Sequence, residues 1–114
     1  MQFLVTLTVD QLTKPPAELE SAMTALVEDK AKAGRFVISG GLASHADGVR
    51  VELSPSGMPQ AEARLPIHGF AVVEAPSLED ALEDASDILR LHQKYVRDWS
   101  GNCEIRPVVT QCLP

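Results

Sequence analysis

Apolar and polar residues alternate at the start of the chain and then change to a longer rhythm. Phe3, Val5, Leu7 and Val9 occupy every second position, which is the pattern of a half-buried β-strand. After a pair of prolines, apolar residues from Leu19 onward recur at spacings of three and four, which predicts an amphipathic helix. The opening segment therefore predicts a strand followed by a helix.

The same two rhythms recur along the rest of the chain, separated by turns rich in glycine, proline and serine. We predict two helices, at about residues 15–33 and 77–98. We predict five strands, at about residues 2–9, 36–42, 49–54, 69–75 and 103–110. The strands at 36–42 and 49–54 are expected to pair as a hairpin, and residues 60–66 fit either a short edge strand or an extended loop.

The order of these elements indicates an α+β fold. Two strand-helix-strand halves predict a ferredoxin-like sandwich, in which an antiparallel sheet carries both helices on one face. The other face of the sheet is expected to carry Leu4, Val37, Val51 and either Val72 or Val73. Because a monomer would leave these apolar residues in water, we expect a homodimer that pairs through its sheets.

Length and composition place all of these elements in one domain, residues 1–114. The chain is 45% hydrophobic and 23% charged, as expected for a globular protein. Its net charge of −6 would repel nucleic acid, which we therefore do not expect as a partner. No apolar run approaches the roughly 18 residues that a membrane helix needs, so we expect no membrane association.

The N-terminus and the cysteines predict a cytoplasmic protein. The first residues lack the basic start, apolar stretch and cleavage site of a signal peptide. Cys103 and Cys112 fall in a segment that we interpret as one strand, where their Cα atoms would lie about 30 Å apart. A disulfide spans no more than about 7 Å, so we expect two unbridged thiols, as in a reducing compartment.

Six short motifs follow one another along nearly the whole chain. They are Lys32-Ala33-Gly34, Ser39-Gly40-Gly41-Leu42, Val49-Arg50-Val51, Gly69-Phe70, Ser77-Leu78-Glu79-Asp80-Ala81 and Glu104-Ile105-Arg106-Pro107-Val108. Their order and spacing resemble the YCII-related (DGPF-domain) family. The resemblance implies a dimeric α+β barrel, in which two ferredoxin-like sheets face each other and a cleft lies between sheet and helices. It also matches His92 and Trp99 to a histidine and tryptophan that relatives carry before the last strand.

The chain departs from this family at two places that bear on catalysis. Relatives carry D-G-P-F followed by A-E, whereas this chain reads Gly57-Met58-Pro59-Gln60-Ala61-Glu62. Relatives proposed to be enzymes carry a histidine with an aspartate partner on the first helix, and the predicted first helix here contains no histidine. The resemblance thus implies the fold more directly than it implies an activity.

Four residues are candidates for a functional site. His68 precedes the strand at Gly69, where the family's cleft would open, and is the candidate general base; the alternative is a strand-end histidine bonded to a backbone carbonyl. Glu62 lies shortly before it. Arg50 alternates with valines, so its guanidinium could bind a carboxylate ligand or pair with a surface acid. His92, on the apolar side of the second helix, is either a ligand contact or a core histidine with a local hydrogen bond.

The sequence carries no cofactor or metal signature. The three histidines are irregularly spaced, the cysteines form no C-x-x-C pair, and no nucleotide-binding or hydrolase motif is present. We therefore expect no cofactor and no metal. Two functions remain: a protein that binds a small organic ligand or a protein partner in the cleft, which we favour, or a cofactor-independent enzyme. That enzyme would catalyse proton abstraction or elimination, in the manner of a dehydrochlorinase or isomerase, with His68 as base.

Overall fold

A computed structural model gives the structure of this protein and describes residues 1–10 and 14–109. The described residues form helices α1 (Ala17–Lys32) and α2 (Leu78–Tyr95) and strands β1 (Gln2–Val9), β2 (Phe36–Gly41), β3 (Val49–Val51), β4 (Gln60–Glu62), β5 (Gly69–Glu74) and β6 (Gly101–Pro107). The predicted α+β composition with two helices is confirmed. Strand β6 ends three residues before the predicted limit, and residue 110 and Cys112 lie outside the described residues.

Four strands form one antiparallel sheet in the order β2-β5-β1-β6. Taken with the two helices, this order is compatible with a ferredoxin-like fold. Strands β3 and β4 form a separate two-stranded hairpin, inserted in the sequence between β2 and β5. The weak pattern at residues 60–66 thus contains a short strand, and that strand pairs outside the main sheet.

The predicted hairpin between β2 and β3 is wrong. Strand β2 pairs with β5, where Ser39 lies opposite Ala71, and β3 pairs with β4. Pairing with β5 lets β2 bury Phe36 in the core, whereas Val49 and Val51 in β3 remain 64% and 56% exposed. Burial of an aromatic side chain stabilises the β2–β5 arrangement, and β3 offers no comparable gain.

The helix-facing side of the sheet holds the core. Phe3 and Val5 of β1 and Ala71 and Val73 of β5 are buried there, because alternate residues of a strand point to the same face. Helix α2 covers them with its own small and apolar face, which consists of Ala81, Ala85 and Ile88. Its N-terminus begins at Ser77, whose Oγ accepts a hydrogen bond from Asp80 N at 3.3 Å.

The opposite side of the sheet, which we call the open face, carries a row of apolar residues across three strands. Ile38 lies opposite Val72, and Val72 lies opposite Leu4. Leu4 is 39% and Ile38 57% exposed. Of the two alternatives, Val72 lies on this face and Val73 belongs to the core. Two expectations were wrong: Val51 belongs to the hairpin outside the sheet, and Val37 lies at an irregularity in β2 that gives its place to Ile38.

A cluster of charges fastens α1 to α2. The carboxylate of Asp84 in α2 is 3% exposed and accepts hydrogen bonds from Lys30 Nζ at 2.8 Å and from Arg35 Nε and Nη2 at 3.0 and 2.7 Å. Lys30 also contacts Asp87 at 2.8 Å, and Arg35 Nη2 donates to the carbonyl of Asp80 at 3.1 Å. These bonds hold the C-terminal end of α1 against α2.

Candidate functional site

A cavity of about 1200 Å³ lies between the sheet and α1. Its sheet side is formed by core-facing residues of β1, β2 and β5, such as Val5, Ser39 and Ala71, and its helix side by α1, including Leu19 and Met23. The last turn of α2 and the segment at 65–68 complete it. The lining is mainly apolar with a few polar groups, which is the usual character of a small-molecule site.

His68 lines this cavity with one ring nitrogen already engaged. Its Nδ1 accepts a hydrogen bond from Val9 N at 3.1 Å. The backbone on either side is also fixed, because His68 N donates to Leu7 O at 2.7 Å and Leu42 N donates to His68 O at 2.9 Å. An acceptor nitrogen carries no proton, so the neutral ring carries its proton on Nε2. His68 therefore offers the cavity a hydrogen-bond donor.

His92 lines the same cavity, but its neutral ring carries the proton on Nδ1 instead of Nε2. Its Nδ1 lies 2.8 Å from Ile88 O, a carbonyl that can only accept, so Nδ1 carries the proton of the neutral ring. The lone pair is then on Nε2. The ring is buried and packs against Trp99, with ring centroids 4.9 Å apart and planes tilted by 37°. The candidate His92 thus has the expected local hydrogen bond and lines the cavity as well.

The close approach of Trp99 to the sheet explains why a glycine begins β6. A Cβ atom on Gly101 would lie 2.7 Å from the Trp99 ring and 2.5 Å from Thr8 O. Both distances are far below ordinary contact, so only glycine lets the indole lie over the strand in this position. Through Trp99, Gly101 also supports the position of the His92 ring.

Glu62 and Arg50, the other two candidates, lie on the β3–β4 hairpin and outside the cavity lining. Glu62 Oε1 is 3.0 Å from Nδ1 of His45, which is exposed and lines the cavity at its edge. Arg50 Nη2 forms an ion pair with Glu52 Oε1 at 2.7 Å. Glu62 therefore reaches the cavity through His45, whereas Arg50 pairs with a neighbouring acid.

The charged residues around the cavity are sparse and mostly acidic. Glu20 and Glu28 of α1 line it, and Lys14 is the sole lysine or arginine among the described lining residues. An arginine able to form a two-pronged contact with a carboxylate is therefore not part of the described lining. The cavity therefore presents histidine nitrogens among apolar residues, with more acidic than basic side chains in the described lining.

Cys103 of β6 packs against the core next to this region. Burial raises the pKa of its thiol to about 11, which keeps the thiol protonated and unreactive at neutral pH. Among the described residues, no group of three or more histidine, cysteine or acidic side chains could hold a metal ion. Neither described helix is long and apolar enough to cross a membrane.

Comparisons with known proteins add no assignment. No protein-family model matches the chain, and a search of the curated proteins finds no match. The functional argument therefore rests on the chemistry of the cavity itself.

The contact of His45 at the cavity edge and the Asp84 cluster between the helices were not predicted. His45 was not among the candidates, because its link to Glu62 depends on the unexpected pairing of β3 with β4. Asp84 was given no role, although its spacing from Ala81 and Ile88 places it on the buried side of α2. That spacing was the signal available for Asp84, whereas the partner of His45 lies 17 residues away in the chain.

Proposed function

We propose that this protein is a homodimeric binding protein that holds a small organic ligand in the cavity between its sheet and helix α1. The observation that carries the proposal is the pair of histidine rings that line the cavity. His68 and His92 each use Nδ1 for a backbone hydrogen bond, and no hydrogen bond from a described residue reaches Nε2 of either ring. Two oriented polar groups in an apolar cavity are suited to fixing a ligand.

The same geometry favours binding over general-base catalysis by His68. A base needs a free lone pair within reach of the substrate proton. The lone pair of neutral His68 is on Nδ1, where it accepts the Val9 N–H, and Nε2 presents a proton instead. Using His68 as a base would require this backbone hydrogen bond to break.

Three further observations support the homodimer. The open face leaves Leu4 and Ile38 in water, with Val72 between them. The chain exposes 8061 Å², whereas a compact protein of its mass exposes about 6,100 Å². Its radius of gyration of 15.9 Å also exceeds the roughly 13 Å of a compact chain of this length. The excess surface is of the size that each protomer of an obligate dimer buries. Pairing through this face is also what the resemblance to the YCII-related family implies.

Binding in the cavity is tested with diphenylhexatriene, a hydrocarbon fluorophore without polar groups that brightens in apolar surroundings. We expect saturable fluorescence with the parent protein. Ser39→Phe fills the cavity from β2 and should abolish the signal. Ser56→Phe makes the same exchange in the exposed hairpin turn and should leave the signal unchanged. If the parent gives no saturable signal, or if both variants behave alike, the proposed ligand site is wrong.

The dimer is tested by sedimentation equilibrium at micromolar concentration. Leu4→Glu places a charge in the middle of the open face and should yield a monomer. Leu53→Glu makes the same exchange at a residue that is 83% exposed and off the sheet, and should remain dimeric. A monomeric parent protein would exclude the proposed assembly.

A further inference from the structure

Among the described residues, none bonds Nε2 of His68 or of His92, and these two cavity nitrogens have opposite hydrogen-bonding roles. Because His68 Nδ1 accepts from Val9 N, its Nε2 carries a proton and can only donate. Because His92 Nδ1 donates to Ile88 O, its Nε2 carries a lone pair and can only accept. A ligand that satisfies both must accept one hydrogen bond and donate another.

Contacts along the sheet bring both rings to the same end of the cavity. His68 is bonded to Val9, and Val9 lies opposite Gly101 in the β1–β6 pair. The Trp99 ring lies over Gly101 and packs against His92. The donor and the acceptor therefore stand on either side of the point where β1 ends and β6 begins.

The charges at the cavity disfavour an anionic ligand. A carboxylate could accept from His68, but it has no proton to donate to His92. Glu20 and Glu28 would repel it, and Lys14 is the sole cationic side chain among the described lining residues. A buried charge without a close partner is costly, so an uncharged ligand suits this lining better.

The walls around the two nitrogens suit an aromatic ligand. Trp99 and the His92 ring, which pack against each other, line this end of the cavity, and Phe36 lines it further along the sheet. Aromatic rings gain from offset or tilted packing against one another beyond the gain from burial alone. A hydroxyl group is the smallest substituent that donates and accepts at once.

Building on the binding function proposed above, we propose that the ligand is an uncharged aromatic alcohol of the phenol class. Its hydroxyl group or groups accept a hydrogen bond from His68 Nε2 and donate one to His92 Nε2, while its ring packs among the aromatic side chains. The cavity thereby distinguishes hydroxylated rings from plain hydrocarbons and from carboxylates of the same size.

The test measures how well four naphthalene derivatives displace bound diphenylhexatriene at neutral pH. The derivatives are 2-naphthol, 2,7-dihydroxynaphthalene, 2-methylnaphthalene and 2-naphthoate, which share one ring system. We expect the better of the two hydroxyl compounds to bind at least about tenfold more tightly than 2-methylnaphthalene, since a hydrogen bond contributes about this much when a polar group would otherwise stay unpaired. We expect 2-naphthoate to be the weakest of the four.

Two variants remove one Nε2 each and keep the local backbone hydrogen bond. In His68→Asn the amide oxygen can still accept from Val9 N, and in His92→Asn the amide nitrogen can still donate to Ile88 O. Each should weaken binding of the better hydroxyl compound by about five- to tenfold relative to 2-methylnaphthalene, which cannot use either nitrogen. Ser56→Asn introduces the same amide in the exposed hairpin turn, outside the described cavity lining, and should change neither affinity.

The outcomes separate this inference from the proposed function. Loss of diphenylhexatriene binding in the parent protein would overturn the binding function itself. Normal diphenylhexatriene binding with equal affinities for the hydroxyl and methyl compounds would overturn only the phenol-class ligand. Tightest binding of 2-naphthoate, or unchanged affinity of the hydroxyl compounds in His68→Asn and His92→Asn, would also reject it.

Discussion

Replacing Asp84 with alanine should destabilise the protein far more than replacing its more exposed neighbour Asp87. Asp84 is 3% exposed and accepts three hydrogen bonds from Lys30 and Arg35, so its removal leaves two cations without their shared buried partner. Removing one member of a buried ion pair typically costs about 3–5 kcal/mol. Lys30 keeps Asp87, and Arg35 keeps the carbonyl of Asp80, which places the expected cost near the lower end, at about 3 kcal/mol.

The matched variant Asp87→Ala removes a carboxylate from the same helix and the same lysine. Asp87 is 36% exposed, so its pair with Lys30 is partly solvated and should contribute less than about 1 kcal/mol. Urea unfolding followed by Trp99 fluorescence measures both variants, at one protein concentration because a dimer's stability depends on it. If Asp84→Ala costs less than about 1 kcal/mol, or no more than Asp87→Ala, the reasoning from burial is refuted.

The same cluster predicts a dependence on alkaline pH. Burial alone would lower the pKa of Lys30, but the hydrogen bonds and attraction of Asp84 and Asp87 together outweigh it, and the pKa lies above its usual 10.5. A raised pKa in the folded state contributes stability that is fully present below the unfolded value and is lost as pH rises through the folded value. The loss in free energy of unfolding that Lys30→Met causes, measured by urea unfolding at a series of pH values, should therefore be constant from neutral pH to just below 10.5. It should become smaller above that pH.

Two further predictions concern the neighbourhood of β6. With Cys112→Ser as background, Cys103 should react with iodoacetamide at pH 8 about a hundredfold more slowly than an unperturbed thiol, because burial raises its pKa to about 11 from 9.0; rapid modification would contradict that environment. Gly101→Ala should lower the free energy of unfolding by about 1–3 kcal/mol and shift Trp99 emission, since the new Cβ meets the indole. Gly41→Ala, where a Cβ would meet nothing within 4 Å, should cause neither change.

Local patterns predicted the helices and the strands that pair in the main sheet, because their residues bury one face with a regular period. The alternation Phe3, Val5 and Leu7 identifies β1, and the three-four spacing of Ala81, Ala85 and Ile88 identifies α2. These signals depend only on neighbouring residues. They specify the type of element and leave its partner open.

Which strands pair, and which face of the sheet a residue occupies, were harder to predict, because local patterns leave both open. Val49 and Val51 alternate like a sheet strand, but they belong to a short hairpin and stay exposed. Val72 and Val73 are both apolar, and only the register with β1 shows that Val73 enters the core while Val72 faces outward. Both cases depend on contacts between distant segments.

The candidate site, too, could be predicted only in part from local patterns. His68 and His92 were identified from their positions beside a strand and on an apolar helix face, and both line the cavity. Their hydrogen-bonding roles depend on Val9 and Ile88, and Val9 lies 59 residues from His68 in the chain. A candidate residue can thus be recognised locally, whereas its chemistry depends on the folded backbone around it.

The segment that contains the inserted β3–β4 hairpin can be replaced without changing the main sheet. Leu42 N and His68 O, at the two ends of the insertion, are joined by a hydrogen bond of 2.9 Å, so the chain leaves and re-enters the sheet at one point. Changing the length of such a closed loop costs little, about 0.6 kcal/mol for each doubling. Yet residues 65–67 and His45 within it line the cavity. Descendants or designed versions of this chain can therefore replace the segment between residues 43 and 67 to change what the cavity admits, while the four-stranded sheet is inherited unchanged.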